Sequence, residues 1–259
     1  MKTPFPPRRL LLLAALLPAL TVAAATATRD EFLAAKQSAS AANFRNDRPG
    51  LEAAVSTFAR LAGDHEWAGR ARYHAAWCEW MIAATHFQDQ KPAEAVAVLE
   101  SGVARLRQVL AESPDDAEAH ALLGWMLMAV GSGDPKRFPE LAPLVRTHRG
   151  RALELAPRNP RAVMLDATLL CYSPKPETRA RGFARWQETL ELIGVEQIAD
   201  PTQPDWGRTL ADGWLANLIL ILDPARPGEA RAHAEKALRE QPDWWWVRTQ
   251  VLAKLPPAG

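Results

Sequence analysis

From residue 30 onward, the hydrophobic positions recur with the period of a helix, and strand-like alternation is nearly missing. In Glu229–Glu240 the apolar residues Ala230, Ala234, Ala237 and Leu238 fall on one face at i, i+4, i+7 and i+8, with Arg231, Glu235 and Arg239 outside it. Residues 117–129 and 93–111 follow the same rule and are rich in Ala, Leu, Glu and Arg, the strong helix formers. Short breakers separate these stretches: Ser113-Pro114-Asp115-Asp116, Pro157-Arg158-Asn159-Pro160 and Gln241-Pro242-Asp243. Proline cannot continue a helix, and an acidic or amide side chain can cap the next one. The pattern predicts an all-α chain of helices joined by tight turns.

The breakers also set a repeat. Trp214, Asn217, Leu218 and Ile221 lie on one helix, Ala230, Ala234 and Ala237 on the next, and Pro242 ends the unit. An earlier unit opens with His120, Leu123, Gly124 and Leu127 and closes with Val145, Ala152 and Pro157. Val163, Ala167 and Leu170 begin a third, whose second helix around 178–193 has drifted, and Tyr73, Ala76 and Trp80 open the first, with 93–111 as its second helix. These offsets resemble the tetratricopeptide pattern of Trp-x2-Leu-Gly-x2-Tyr, then Ala-x3-Phe, then Pro. The sequence departs from that pattern at its tyrosine position, which is Leu or Ile, and in nine extra residues around Gly131–Pro143. That region is expected to be a loop, either part of a binding face or a neutral surface insertion. The resemblance implies antiparallel helix-pair repeats stacked into a right-handed solenoid over residues 67–257, with 28–66 as an N-terminal helical segment.

Residues 1–27 read as a signal for export. Lys2, Arg8 and Arg9 precede the apolar run Leu10–Leu20, and small residues at 23–27 offer cleavage sites. The expected destination is the periplasm or the outside of the cell, with no stable membrane span after cleavage, because the apolar run is too short to cross a bilayer. Cleavage takes the 31 basic residues to 28 against 30 acidic ones, a formal charge of −2. That balance excludes the concentrated basic face that nucleic-acid binding needs. Two cysteines, Cys78 and Cys171, are too few for a disulfide scaffold and stand in no Cys-x-x-Cys motif, so both are expected as small buried hydrophobes.

No catalytic constellation emerges. The chain has no Gly-x-Ser-x-Gly elbow, no His-Glu-x-x-His and no clustered Cys/His set, so no enzyme activity, metal or cofactor is expected. The ten tryptophans are the unusual feature, and Trp244-Trp245-Trp246 stand in a row. Three successive residues spread over about 200° of a helix and cannot all face one core. One is expected to staple a last helix, 245–255, onto the preceding pair, with another left for a partner or a membrane-facing rim.

In tetratricopeptide proteins the first helix of each pair lines a concave groove. The resemblance carries that groove onto Glu118, Trp125, Arg161, Met164, Tyr172 and Asp212. An aromatic residue, a methionine, an arginine and two acids suit a protein or peptide partner. The expected function is therefore a non-catalytic scaffold or adaptor, beside an envelope or transport component. The alternative is a small-molecule binder accessory to transport, which the architecture broadly resembles in the helical-repeat partners of periplasmic tripartite transporters.

Overall fold

A computed structural model describes the backbone of residues 17–256, and side chains from residue 29 onward except that of Thr209. Residues 1–16 of the expected export signal lie outside the described residues. Among the described residues, ten α-helices follow one another: α1 (Leu17–Arg45), α2 (Arg48–Leu61), α3 (Ala68–Gln88), α4 (Pro92–Glu112), α5 (Ala117–Gly133), α6 (Phe138–Leu155), α7 (Pro160–Cys171), α8 (Pro176–Val195), α9 (Gly207–Leu222) and α10 (Pro227–Glu240). No strand occurs among the described residues. Short connections make successive helices antiparallel neighbours, so α1/α2, α3/α4, α5/α6, α7/α8 and α9/α10 form five stacked pairs. The expected all-α stack of helix pairs is the fold observed, and α1 with α2 packs as its first pair against α3.

The breakers act as their chemistry predicts. The Asp116 carboxylate accepts from the Ala119 amide at 2.9 Å, and Asn159 accepts from Arg161 and Ala162, satisfying amides that a helix start leaves open. Proline stands in the first turn of α4, α7, α8 and α10, where its missing N–H costs nothing. Between pairs, Gly124 lets α5 and α7 approach, since a Cβ there would lie 2.5 Å from Leu165 Cδ2. A side chain at that position would require Leu165 to move.

Two regions differ from expectation. Gly131–Pro143 is not a loop: α5 runs on to Gly133, a single 3-10 turn covers Pro135–Arg137, and α6 starts at Phe138. Asp134 caps that turn through Lys136 N, which lets the added residues extend both helices. The last segment is helical but irregular, a π turn over Val247–Val251 followed by a 3-10 turn over Leu252–Lys254. Both cysteines are buried and free, and burial pushes their thiols upward, Cys171 to about 12.

Candidate binding site on the inner face

The first helix of each pair faces inward, and tryptophans bring distant pairs together across the concavity. Trp80 of α3 lies 5.4 Å from Trp125 of α5, 5.5 Å from Trp206 and 5.2 Å from Trp214 of α9, centroid to centroid. Such edge and tilted contacts are the favoured aromatic geometry. The cluster joins a helix near the start of the stack to one near its end, so the solenoid closes on itself. At the rim, Phe44 of α1 meets Trp244 edge-on at 5.4 Å. Gly213 makes this possible, because a Cβ there would fall 2.5 Å from the Trp244 ring.

A second device fills the groove. The connection between α8 and α9 is much longer than the others, and its residues 196–206 run across the inner face. Lys36 of α1 donates to the carbonyls of Pro201 and Gln203 at 2.7 and 2.6 Å and pairs with Asp205 at 3.0 Å. Arg70 of α3 binds both Asp200 and Thr202. The Thr202 carbonyl, which can only accept, lies 3.0 Å from His74 Nε2, so His74 carries its proton there. Burial, and then the Lys36 charge, hold the His74 pKa down at about 4, and the ring stays neutral. Trp206 donates its indole N–H to Tyr73 Oη at 2.8 Å, and burial raises the Tyr73 phenol well above its ordinary value.

The six expected groove residues have separate fates. Glu118 and Arg161 meet in a buried ion pair at 2.7 Å, and Glu196 at the start of the inner segment closes on the other side of the guanidinium. Burial opposes the Arg161 charge, but the two carboxylates outweigh it and keep the group protonated. Trp125 is packed into the indole cluster with only 6% of its surface exposed, and Met164 has none exposed. Asp212 turns toward α10, where His233 and Lys236 bind it at 2.7 and 2.8 Å. Burial would raise its carboxyl, and those two partners override that and lower it. Tyr172 sits 54% exposed at the end of α7.

Among the described residues, three cavities remain open on the inner face: one of about 430 Å³ lies between the 196–206 segment and Tyr73, Glu118 and Arg161, and the other two adjoin each other. One of these two, of about 400 Å³, is walled by Trp80, Met81, Phe87, Trp214, Trp244 and Trp246, with Asn43, Asn46 and Gln88 among its polar edges. The Gln88 Oε1 atom is buried without a hydrogen-bond partner. The other, of about 700 Å³, lies between α1, α3 and the 196–206 segment and shares Asn43 and Leu210 with the first. Sequence reasoning missed all three, although a signal was present. The Asp200-Pro201 and Pro204 stretch marks a non-helical connection longer than any repeat turn, and long connections inside a compact stack usually hold something. Among the described residues there is no cluster of three or more metal-ligating side chains, and no helix is long and apolar enough to cross a membrane.

No family model matches the chain, and no curated protein matches it in sequence. Solved structures do resemble it. The HusA haemophore from Porphyromonas gingivalis superposes with a TM-score of 0.59 at 20% identity, covering 74% of this chain and 92% of its own. A thermophilic tetratricopeptide-repeat protein of Thermus thermophilus superposes with a TM-score of 0.54 at 16% identity, covering 80% of this chain and 91% of its own. At these identities the likeness is one of fold, and it places the chain among helical-repeat architectures.

Proposed function

We infer that this chain is an exported, non-catalytic binding protein that holds a small, flat, apolar ligand in the tryptophan-walled cavity of its inner face. The observation that carries this reading is the closure of the groove. A solenoid that binds an extended peptide along its first helices needs that face open, whereas here the 196–206 segment and the indole cluster occupy it. The remaining space, about 400 Å³ in the aromatic cavity, falls within the ~300–1,000 Å³ range of small-molecule sites. Its walls offer indole faces and edges for stacking, with Asn43 and Asn46 as polar groups at its edge.

The other parts of the reading have their own support. The basic, apolar and small-residue order of 1–27 supports export. A non-catalytic role is supported by the state of the reactive groups inside: His74 is neutral and bound to a carbonyl, and both thiols are buried and raised. The haemophore among the structural neighbours supports a ligand-holding role by analogy of fold, since its name attaches it to haem, a flat molecule. The scaffold reading drawn from the sequence keeps the support of the helical-repeat fold, although the 196–206 segment covers part of its groove.

The test is a titration of the purified chain with pyrene and with metal-free protoporphyrin IX, read as quenching of tryptophan fluorescence, with glucose as a polar control. Saturable quenching by the flat probes is expected, weakened at least tenfold in Phe87→Ala/Trp246→Ala. Both of those residues are only partly buried, so the variant keeps its fold. Quenching that does not saturate, or that is unchanged in the variant, would reject the reading.

A further inference from the structure

The nine-residue departure from the repeat has a consequence on the outside of the stack. α5 is 17 residues long and α7 only 12, a difference of about 7.5 Å at 1.5 Å a residue. The lengthened ends of α5 and α6 therefore project past α7 and are uncovered on that side, while Phe87 and Val96 pack against the other. An apolar cleft of about 250 Å³ results, lined by Leu127 and Met128 of α5, Phe138 and Leu141 of α6, and Leu169 and Leu170 of α7. Phe138 leaves 56% of its surface in solvent, and Tyr172, just beyond Leu170, leaves 54%. Large rings are seldom left this open beside an apolar cleft unless something covers them.

The charge at the cleft is one-sided. Arg146 and Arg149 lie on the wall that Phe138 and Leu141 begin. Arg146 makes no ion pair or hydrogen bond among the described residues, and the buried Nε of Arg149 has no partner. Asp166, the nearby acid, is already shared between Arg149 at 3.2 Å and Arg185 at 3.3 Å. Glu140, six residues before Arg146, is about 120° away around the helix and does not line the cleft. Phenylalanine, tyrosine, methionine and arginine together are the composition of an interface centre.

We propose that this cleft is the docking site for an acidic amphipathic helix of a partner protein. The apolar stripe of that helix, at i, i+4 and i+7, lies along the cleft against Phe138 and the leucines, and its flanking carboxylates meet Arg146 and Arg149. The site is separate from the inner cavities and shares no lining residue with them. The nine added residues thus build the two turns of helix that form its wall.

The experiment uses two fluorescein-labelled amphipathic peptides of one sequence, one with glutamates flanking the apolar stripe and one with lysines. Binding to the full chain is read by fluorescence anisotropy, with circular dichroism as the check on folding. The glutamate peptide is expected to bind at least tenfold tighter than the lysine peptide. Phe138→Ser should weaken it at least tenfold, and Arg146→Glu should reverse the preference. Val195→Ser, at another exposed apolar residue, should change nothing, and Phe87→Ala/Trp246→Ala should leave peptide binding intact even if the inner cavity holds no ligand. Equal binding of the two peptides, or indifference to Phe138→Ser, would overturn the proposal. So would Phe138-dependent sedimentation with phosphatidylglycerol vesicles, which assigns the cleft to a lipid surface, or a Phe138-dependent dimer in the ultracentrifuge, which assigns it to a second copy of this chain.

Discussion

Replacing Arg161 by methionine tests whether the inner face is held together by charge neutralisation. The guanidinium has 4% of its side chain exposed, and its partners Glu118 and Glu196 have 19% and 12%. Arg161→Met keeps most of the apolar stem but strands two carboxylates, one on α5 and one at the start of the 196–206 segment. Breaking a buried ion pair from one side costs ~3–5 kcal/mol. The carboxylates keep some contact with water, so the lower end applies, about 3 kcal/mol. For a chain of this size, ~2–4 °C of melting temperature is lost per kcal/mol, giving a drop of about 6–12 °C. Urea unfolding at pH 7, followed by circular dichroism, measures the loss directly. Arg161→Met/Glu118→Gln/Glu196→Gln, which carries no stranded charge, should recover more than half of what the single variant loses. A single-variant loss below about 1 kcal/mol, or a triple variant as unstable as the single one, would refute the reasoning and leave Arg161 as a packing residue.

The buried histidines give the fold a pH dependence. His74 titrates at about 4 when folded and near 6.5 when unfolded, so the unfolded chain takes up the proton first and stability falls as pH drops through that window. The loss from this one group between pH 6.5 and 5 should be about 1.5 kcal/mol. Urea curves at three pH values should show this slope shrink in His74→Phe, with part of the remainder from His148, which burial and His120 also hold at about 4. Gly213→Ala pushes a methyl group into the Trp244 ring and should cost ~1–3 kcal/mol, with the flat-probe affinity falling alongside; unchanged melting and binding would mean that Trp244 moves freely. Neither cysteine should react with Ellman's reagent in the native chain, and both should react after denaturation, because both are buried and burial raises their thiols.

The sequence by itself determined the parts of this protein that depend on local chemistry. Helical periodicity, proline at the first turn and Asp116 and Asn159 as caps act within a few residues of one another, so the order of helices and their pairing could be read directly. Gly124 was legible for the same reason, as a small residue in a helical repeat, though its contact with Leu165 of the next pair was not. Glu118 and Arg161 were picked out by their positions in the repeat, and they do meet. The closure of the solenoid was not legible, because it depends on residues far apart in the chain: Phe44 with Trp244, Lys36 with Pro201, Trp80 with Trp214. Repeat spacing predicts what each unit offers its neighbour and is silent about what the first unit offers the last. Asp212 shows the same limit, since its offset suits the groove while His233 and Lys236 on the adjoining helix hold it elsewhere. Only the tertiary structure decided which tryptophans became core and which became cavity wall, because an indole at helical spacing fits either role until the curvature of the whole stack sets the space in front of it.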